Sequence, residues 1–138
     1  MTIRPSILLV DDYPDMLYNL SLPLEIAGFQ TLTANNGFEA IEILNTHTID
    51  LIVSDIVMPD MDGYELYHQV RKNSVWINIP FLFLTGCLLD SEIRYGKELG
   101  VDDYLIKPIK TDHLLSVVRG KLKRQQQLMN KYKTSDIS

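Results

Sequence analysis

The chain has 138 residues, of which 46% are hydrophobic and 22% are charged, a composition that suits one folded domain and argues against overall disorder. Its formal net charge of −5 argues against nonspecific binding of nucleic acid by the bulk surface. The single cysteine, Cys87, excludes an intramolecular disulfide. The N-terminus lacks the long apolar segment of a signal peptide, and no apolar stretch approaches the length of a membrane span. We therefore expect a cytoplasmic protein that is not anchored in a membrane.

Short runs rich in Val, Ile, Leu and Phe alternate along the chain with longer amphipathic segments. This alternation is typical of an α/β fold in which helices cover both faces of a parallel sheet. The predicted strands are Ile7 to Val10, Thr31 to Ala34, Leu51 to Ser54, Phe81 to Leu84 and Asp103 to Ile106. The five predicted helices are Pro14 to Ala27, Gly37 to Thr46, Tyr64 to Asn73, Leu88 to Leu99 and a last helix from Thr111 past Leu122.

The end of the chain has a different composition from the rest. From about Lys121 the sequence turns polar, although apolar residues continue at a rough heptad spacing. We expect residues 1–122 to form the domain, and residues 123–138 to extend the last helix and end in a disordered tail from Thr134. A helical connector or a dimer seam is the alternative interpretation, but coiled coils normally need more heptads than this segment offers.

Polar side chains follow four of the predicted strands. Asp11 and Asp12 follow the first strand, Asp55 the third, Thr85 the fourth and Lys107 the fifth. Each residue alone has an ordinary explanation, such as a helix cap or a hydrogen bond to the backbone. Because ligands of an open parallel sheet bind beyond the carboxyl ends of its strands, the joint placement predicts that the five side chains share one cleft.

Three carboxylates packed together must take up a proton or recruit a cation. Mg²⁺ suits this oxygen-only set, since it commonly uses one or two carboxylates, water and a phosphoryl oxygen. Three acids against Lys107 leave a charge of about −2, which one divalent ion neutralises. Asp55 is the candidate nucleophile toward phosphorus, because carboxylates form aspartyl phosphates.

Four short motifs occur in order along the chain: Val10-Asp11-Asp12, Asp55 followed by Met58-Pro59 and Gly63, Leu84-Thr85-Gly86, and Asp102-Asp103-Tyr104-Leu105-Ile106-Lys107-Pro108. This ordered set resembles the receiver domain of bacterial two-component response regulators. The resemblance runs from about Ile7 to Leu122 and implies a flavodoxin-like doubly wound fold, with five strands in the order 2-1-3-4-5 and five helices.

The resemblance also implies roles for individual residues. Asp55 is the expected phosphoacceptor. The expected Mg²⁺ ligands are Asp12, Asp55 and the backbone carbonyl of Val57, with Asp11 acting mainly through water. Lys107 is expected to pair with the phosphoryl group and to assist the transfer.

Two further expectations follow from the same resemblance. The Lys107-Pro108 peptide should be cis, a form essentially confined to bonds before proline. Thr85 and Tyr104 should form a switch pair: the Thr85 hydroxyl donates to the new phosphoryl group, and Tyr104 turns into the space that Thr85 leaves. The surface over the fourth helix and fifth strand would then change shape.

We therefore expect a phosphorylation-controlled switch in two-component signal transduction. The expected partners are a sensor histidine kinase or phosphotransfer protein and a downstream effector or output domain. A weak dimer through the fourth helix, fifth strand and fifth helix is a further expectation, and neither nucleic acid nor membrane is an expected partner. The domain would assist its own phosphorylation and dephosphorylation without being an enzyme toward an external substrate. Val57 and Cys87 cannot orient an attacking water as a carboxylate or amide would, so we expect slow spontaneous dephosphorylation.

Three other interpretations of the sequence compete with this one. A Mg²⁺-dependent phosphatase with an aspartyl nucleophile is the first, but enzymes of the haloacid dehalogenase type carry a second Asp where this chain has Val57. A receiver fragment of a larger hybrid kinase or transcription factor is the second. A flavin-binding protein on the same fold is disfavoured, because the acidic turn at Asp11 and Asp12 repels a phosphate that has no metal.

Overall fold

The computed structural model describes residues 4–86, 95, 98, 100 and 102–137, and the side chains of these residues as far as residue 130. The strands are β1 (Ser6–Val10), β2 (Gln30–Ala34), β3 (Leu51–Asp55), β4 (Phe81–Thr85) and β5 (Asp103–Ile106). The helices are α1 (Pro14–Ile26), α2 (Gly37–Thr46), α3 (Gly63–Lys72) and the C-terminal helix (Thr111–Ile137).

All five strands pair in parallel in one sheet with the order β2-β1-β3-β4-β5. The predicted doubly wound topology is confirmed. The strand order reverses between β1 and β3, which is the place where open parallel sheets bind their ligands. Val10 is in register with Ser54, and Thr85 is in register with Ile106, so the residues that follow these strands lie at one edge of the sheet.

The core has two halves, one on each face of the sheet. Alternate residues of a strand point to opposite faces, so Leu8 and Phe83 pack with α2 and α3, whereas Leu9 and Leu84 pack with α1 and the C-terminal helix. Strands β3 and β4 are buried along their whole length. Their continuous apolar sequence is what a central parallel strand requires, because both of its faces are covered.

The structure describes only part of the fourth predicted helix, and it extends the last one. Tyr95 and Glu98 are helical, but the rest of the predicted helix Leu88 to Leu99 lies outside the described residues, as does Cys87. The C-terminal helix continues to Ile137, so the predicted disorder from Thr134 is wrong for residues 134–137. Extending a helix that has already formed adds one hydrogen bond for each residue fixed, and polar composition alone does not end it. Within the part of the chain described, no helix has the length and apolar composition needed to cross a membrane.

Candidate functional site

Three carboxylates meet at the carboxyl edge of the sheet. Asp11 and Asp12 follow β1, and Asp55 is the last residue of β3. One oxygen from each carboxylate lies within 4.8 Å of the others. Asp11 and Asp55 are buried, with 1% and 8% of their surface exposed, while Asp12 faces solvent. The strand register therefore brings together the three acids that the sequence singled out.

The positively charged side chain of Lys107, the residue that follows edge strand β5, lies beside this acidic cluster. Its Nζ donates a hydrogen bond to Asp11 Oδ2 at 3.3 Å and lies 3.6 Å from Asp55 Oδ1. The backbone N–H of Lys107 donates to the carbonyl of Thr85 at 2.7 Å, which fixes the start of the segment after β5. The ammonium thus bridges two buried carboxylates that come from neighbouring strands.

Backbone N–H groups orient both buried carboxylates. Asp11 Oδ1 accepts the N–H of Tyr13 at 3.0 Å, and Asp55 Oδ1 accepts the N–H of Ile56 at 2.9 Å. In addition, the backbone N–H of Asp11 donates to the carbonyl of Ala34 at 3.1 Å, which extends the β1–β2 pairing by one residue. Both oxygens of Asp11 therefore accept a hydrogen bond, whereas Asp55 is held through Oδ1 and its Oδ2 atom accepts no hydrogen bond from the described residues.

The electrostatic surroundings disfavour the charged form of Asp55. Burial is the largest cause and raises the pKa of this carboxyl above its ordinary value, and the nearby charge of Asp11 raises it further. Lys107 and the N–H of Ile56 act in the opposite direction, and Asp12 adds a smaller increase. Metal-free Asp55 is therefore destabilised as a carboxylate, and a cation that binds there relieves the strain of like charges.

This shift predicts a pH-dependent stability difference between the wild type and Asp55→Asn without Mg²⁺. The pKa of Asp55 is raised in the folded state. Asp55 therefore contributes to the free energy of unfolding below its unfolded pKa, about 4, and this contribution is lost as pH rises through the folded pKa. At pH 7 we expect the Asn variant to be more stable, by on the order of 1 kcal/mol.

Thermal unfolding monitored by circular dichroism at several pH values between 4 and 8 checks this expectation. The advantage of the variant should grow with pH and should shrink when Mg²⁺ is added to both proteins. A variant that is less stable than the wild type at every pH would contradict the raised pKa of Asp55.

The two residues of the expected switch pair lie on the neighbouring strands β4 and β5. Thr85 is the buried last residue of β4, and Tyr104 is half-buried in β5, with its ring 5.8 Å from that of Phe83. The Lys107-Pro108 peptide is cis, as the resemblance implied. Val57 follows β3 in an exposed position, and the use of its carbonyl as a ligand stays a prediction.

Comparison with known proteins decides the family. A profile described as the response regulator receiver domain matches residues 7–119, which covers most of the chain and includes every site residue named above. The chain belongs to the response regulator receiver family.

Individual relatives agree with this assignment. The chain is 37% identical over 122 residues to the response regulator Rre1 of Synechocystis, covering 88% of this chain and 53% of that protein. It is also 37% identical over 132 residues to a homologue of the transcriptional regulatory protein CpxR from Haemophilus influenzae, covering 96% of this chain and 56% of that protein. This receiver domain spans about half the length of these curated relatives.

Solved structures agree with the fold. The chemotaxis protein CheY4 of Vibrio cholerae superposes with a TM-score of 0.81 at 32% identity, covering 85% of this chain and 98% of CheY4. The near-complete coverage of CheY4 shows that this chain shares nearly the whole architecture of that protein.

The residues of this receiver fit a bound Mg²⁺ ion. The donors are carboxylate oxygens, which hard divalent cations prefer, and their close approach carries a repulsion that a cation removes. One of the three acids is exposed, so an ion can enter from solvent. Mg²⁺ commonly takes only one or two carboxylates and completes its coordination with water and phosphate, so a small carboxylate set suits it.

The sequence motifs do not directly give several backbone contacts that shape the site. Gly63 belongs to one motif, but the motif does not show how closely Gly63 packs against the Asp55 backbone, or that the N–H groups of Tyr13 and Ile56 donate to the carboxylates. An Asp that accepts the N–H two residues later is a common turn pattern, so the Asp11 to Tyr13 contact had a readable signal. The packing of Gly63 depends on the path of a loop, which no local pattern gives.

Proposed function

We propose that this receiver domain accepts a phosphoryl group on Asp55 and thereby changes the surface that a partner recognises. The observation that supports the proposal is the placement of Asp55 with Asp11, Asp12 and Lys107 at the point where the strand order reverses. A bound cation would stabilise the disfavoured negative charge of Asp55, and carboxylates can act as nucleophiles that form acyl phosphates.

The proposed transfer uses the free oxygen of Asp55. Because Oδ1 accepts the N–H of Ile56, Oδ2 is the atom placed to attack phosphorus. One bond forms between this oxygen and phosphorus, while the bond from phosphorus to the donor breaks and the donor keeps its electron pair. With a phosphohistidine donor the leaving group is imidazole, and with acetyl phosphate it is acetate.

Charge at the site decides how well this step proceeds. Lys107 is close enough to Asp55 to neutralise charge on a phosphoryl oxygen without leaving the site. Asp12, Asp55 and the backbone carbonyl of Val57 would hold Mg²⁺, with Asp11 acting mainly through water. When bound, the ion supplies positive charge that stabilises the phosphoryl oxygens.

The output of the proposed reaction is a change at β4 and β5. Thr85 ends β4, and its backbone carbonyl accepts the N–H of Lys107. We expect its hydroxyl to donate to a phosphoryl group on Asp55. Tyr104 lies two residues into β5 against Phe83 and can respond to a movement of Thr85. A phosphoryl group adds a charge of about −1.5 to −2 and strong acceptors, which is enough to reorder such contacts.

The partners follow from this proposed role. A sensor histidine kinase or phosphotransfer protein would donate the group, and an effector or output domain would read the changed surface. Residues 1–122 would form the receiver, since the partly buried Leu122 is the last described residue of the C-terminal helix that packs against the apolar core, and residues 123–138 would extend that helix. A weak dimer through β5 and its flanking helices stays a further proposal.

Incubation with acetyl phosphate and Mg²⁺, followed by intact mass spectrometry, tests the proposal. We expect a gain of one phosphoryl group, and no gain when EDTA removes the metal. Sustained release of phosphate from several small phosphoesters would instead favour a phosphatase. A wild-type protein that neither gains mass nor binds beryllofluoride would refute the proposed function.

Spontaneous loss of the phosphoryl group is expected to be slow, over many minutes or longer. Val57 stands two residues after Asp55 with 79% of its surface exposed, and its apolar side chain cannot orient an attacking water. Val57→Glu should therefore speed the loss by about tenfold, since a positioned carboxylate can direct and deprotonate water. The decay of the phosphorylated mass after removal of acetyl phosphate measures both rates, and decay of the wild type within seconds would contradict this prediction.

A further inference from the structure

The segment from Ile56 to Asp62 connects β3 to α3 and is called here the acceptor loop. Contacts with the rest of the domain hold it near both of its ends. Ile56 and Met58 are buried with 7% exposure each, while Val57 between them is 79% exposed. Two buried side chains on either side of Val57 restrict the direction of its backbone carbonyl. The loop therefore has a defined shape at the point where the proposed Mg²⁺ ligand lies.

Gly63 closes the acceptor loop from the α3 side. Its backbone N–H donates to the carbonyl of Ile56 at 2.7 Å. A Cβ atom at position 63 would overlap the carbonyl oxygen of Asp55 and would lie 2.8 Å from the Cα of Ile56. Because these neighbours are backbone atoms, no rotation of a side chain can make room, and any larger residue must displace the peptide that carries Asp55.

Met61 holds the other side of the same loop against α2. A Cβ atom at Gly37, the first residue of α2, would overlap the sulfur of Met61 and lie 2.8 Å from its Cγ. The Met61 side chain thus occupies the space that the missing side chain of Gly37 leaves. Here the neighbouring atoms belong to a flexible side chain, so this contact is more adaptable than the one at Gly63.

We infer that Gly63 and Met61 are positioning residues for the phosphoacceptor site. Gly63 sets the distance between α3 and the Asp55 backbone, and Met61 secures the loop to α2. Together they fix the Asp55 carboxylate and the Val57 carbonyl relative to Asp11 and Asp12, although neither residue touches the ion or the phosphoryl group. This inference rests on the proposed function and adds the residues that hold its geometry.

Gly63→Ala is the principal test. We expect the affinity for Mg²⁺, measured by isothermal titration calorimetry, to fall by about tenfold or more, since residues that orient metal ligands commonly have effects of this size. The rate of phosphorylation by acetyl phosphate at fixed Mg²⁺ should fall with it. Gly120→Ala is the matched control, because a Cβ at Gly120 in the C-terminal helix meets nothing within 4 Å. It should leave the affinity for Mg²⁺ unchanged.

Measurements of thermal unfolding separate a positioning role from loss of the fold. A Gly63→Ala protein that is folded at the assay temperature and keeps wild-type affinity for Mg²⁺ overturns the inference. If Gly63→Ala does not fold, Met61→Ala decides: weaker binding of Mg²⁺ supports the inference, and wild-type binding overturns it. A wild-type protein that binds no Mg²⁺ and accepts no phosphoryl group defeats the proposed function as well, so the two failures are distinguishable.

Discussion

Asp55→Asn is expected to abolish phosphorylation by acetyl phosphate in the presence of Mg²⁺. An amide cannot attack phosphorus as a carboxylate does, and it also removes one of the three negative charges that would hold the cation. Asparagine has nearly the same shape, so the hydrogen bond to the N–H of Ile56 can be kept through its amide oxygen. Intact mass spectrometry after prolonged incubation should show no phosphorylated species.

Asp60→Asn is a suitable control for this substitution. Asp60 lies in the acceptor loop, is exposed and has a φ of 69°, a backbone conformation that asparagine adopts as readily as aspartate. The control should be phosphorylated at close to the wild-type rate. Full phosphorylation of Asp55→Asn, mapped to another carboxylate, would show that Asp55 is not the acceptor.

Lys107→Ala is expected to slow phosphorylation by about a hundredfold or more, the usual effect of removing one preorganised charge from a transition-state site. The Lys107 ammonium is 3.6 Å from Asp55 Oδ1, so it is placed to stabilise the oxygens of a phosphoryl group bound there. Time courses of mass gain with acetyl phosphate at saturating Mg²⁺ measure the rate. Lys110→Ala, which changes an exposed lysine three residues later, should have no comparable effect.

Binding of Mg²⁺ by Lys107→Ala distinguishes a role in transfer from a role in folding. Lys107 repels a cation at the acidic cluster, so its removal should leave the affinity for Mg²⁺ equal or higher while the phosphorylation rate falls. A variant that loses both affinity and rate, with a lowered unfolding temperature, would indicate that Lys107 mainly maintains the structure.

The α/β fold and the meeting of the acidic side chains with Lys107 could be predicted because both depend on local pattern. An apolar run that ends in a polar residue marks both a buried strand and the edge where ligands bind, and such runs placed Asp11, Asp55 and Lys107 at one edge. The sequence could not give the extent of the C-terminal helix, since polar residues are compatible with both a helix and disorder.

The detailed shape of the site was also beyond sequence analysis. The contact between Gly63 and the Asp55 backbone depends on how α3 returns to the sheet, which is set by packing across residues distant in sequence. In the same way, the raised pKa of Asp55 depends on its burial and on the position of Asp11 in a neighbouring strand. Both properties arise only when separate elements are assembled.

The bridge that Lys107 makes has a consequence for the edge of the sheet. Strand β5 is the outermost strand on its side, while the two carboxylates that Lys107 contacts follow the central strands β1 and β3. The ammonium is therefore an electrostatic tether between the periphery of the sheet and its centre. The strength with which β5 is attached to the central strands then depends on the charge carried by Asp55. A change in charge at Asp55 would therefore alter the attachment of the edge strand.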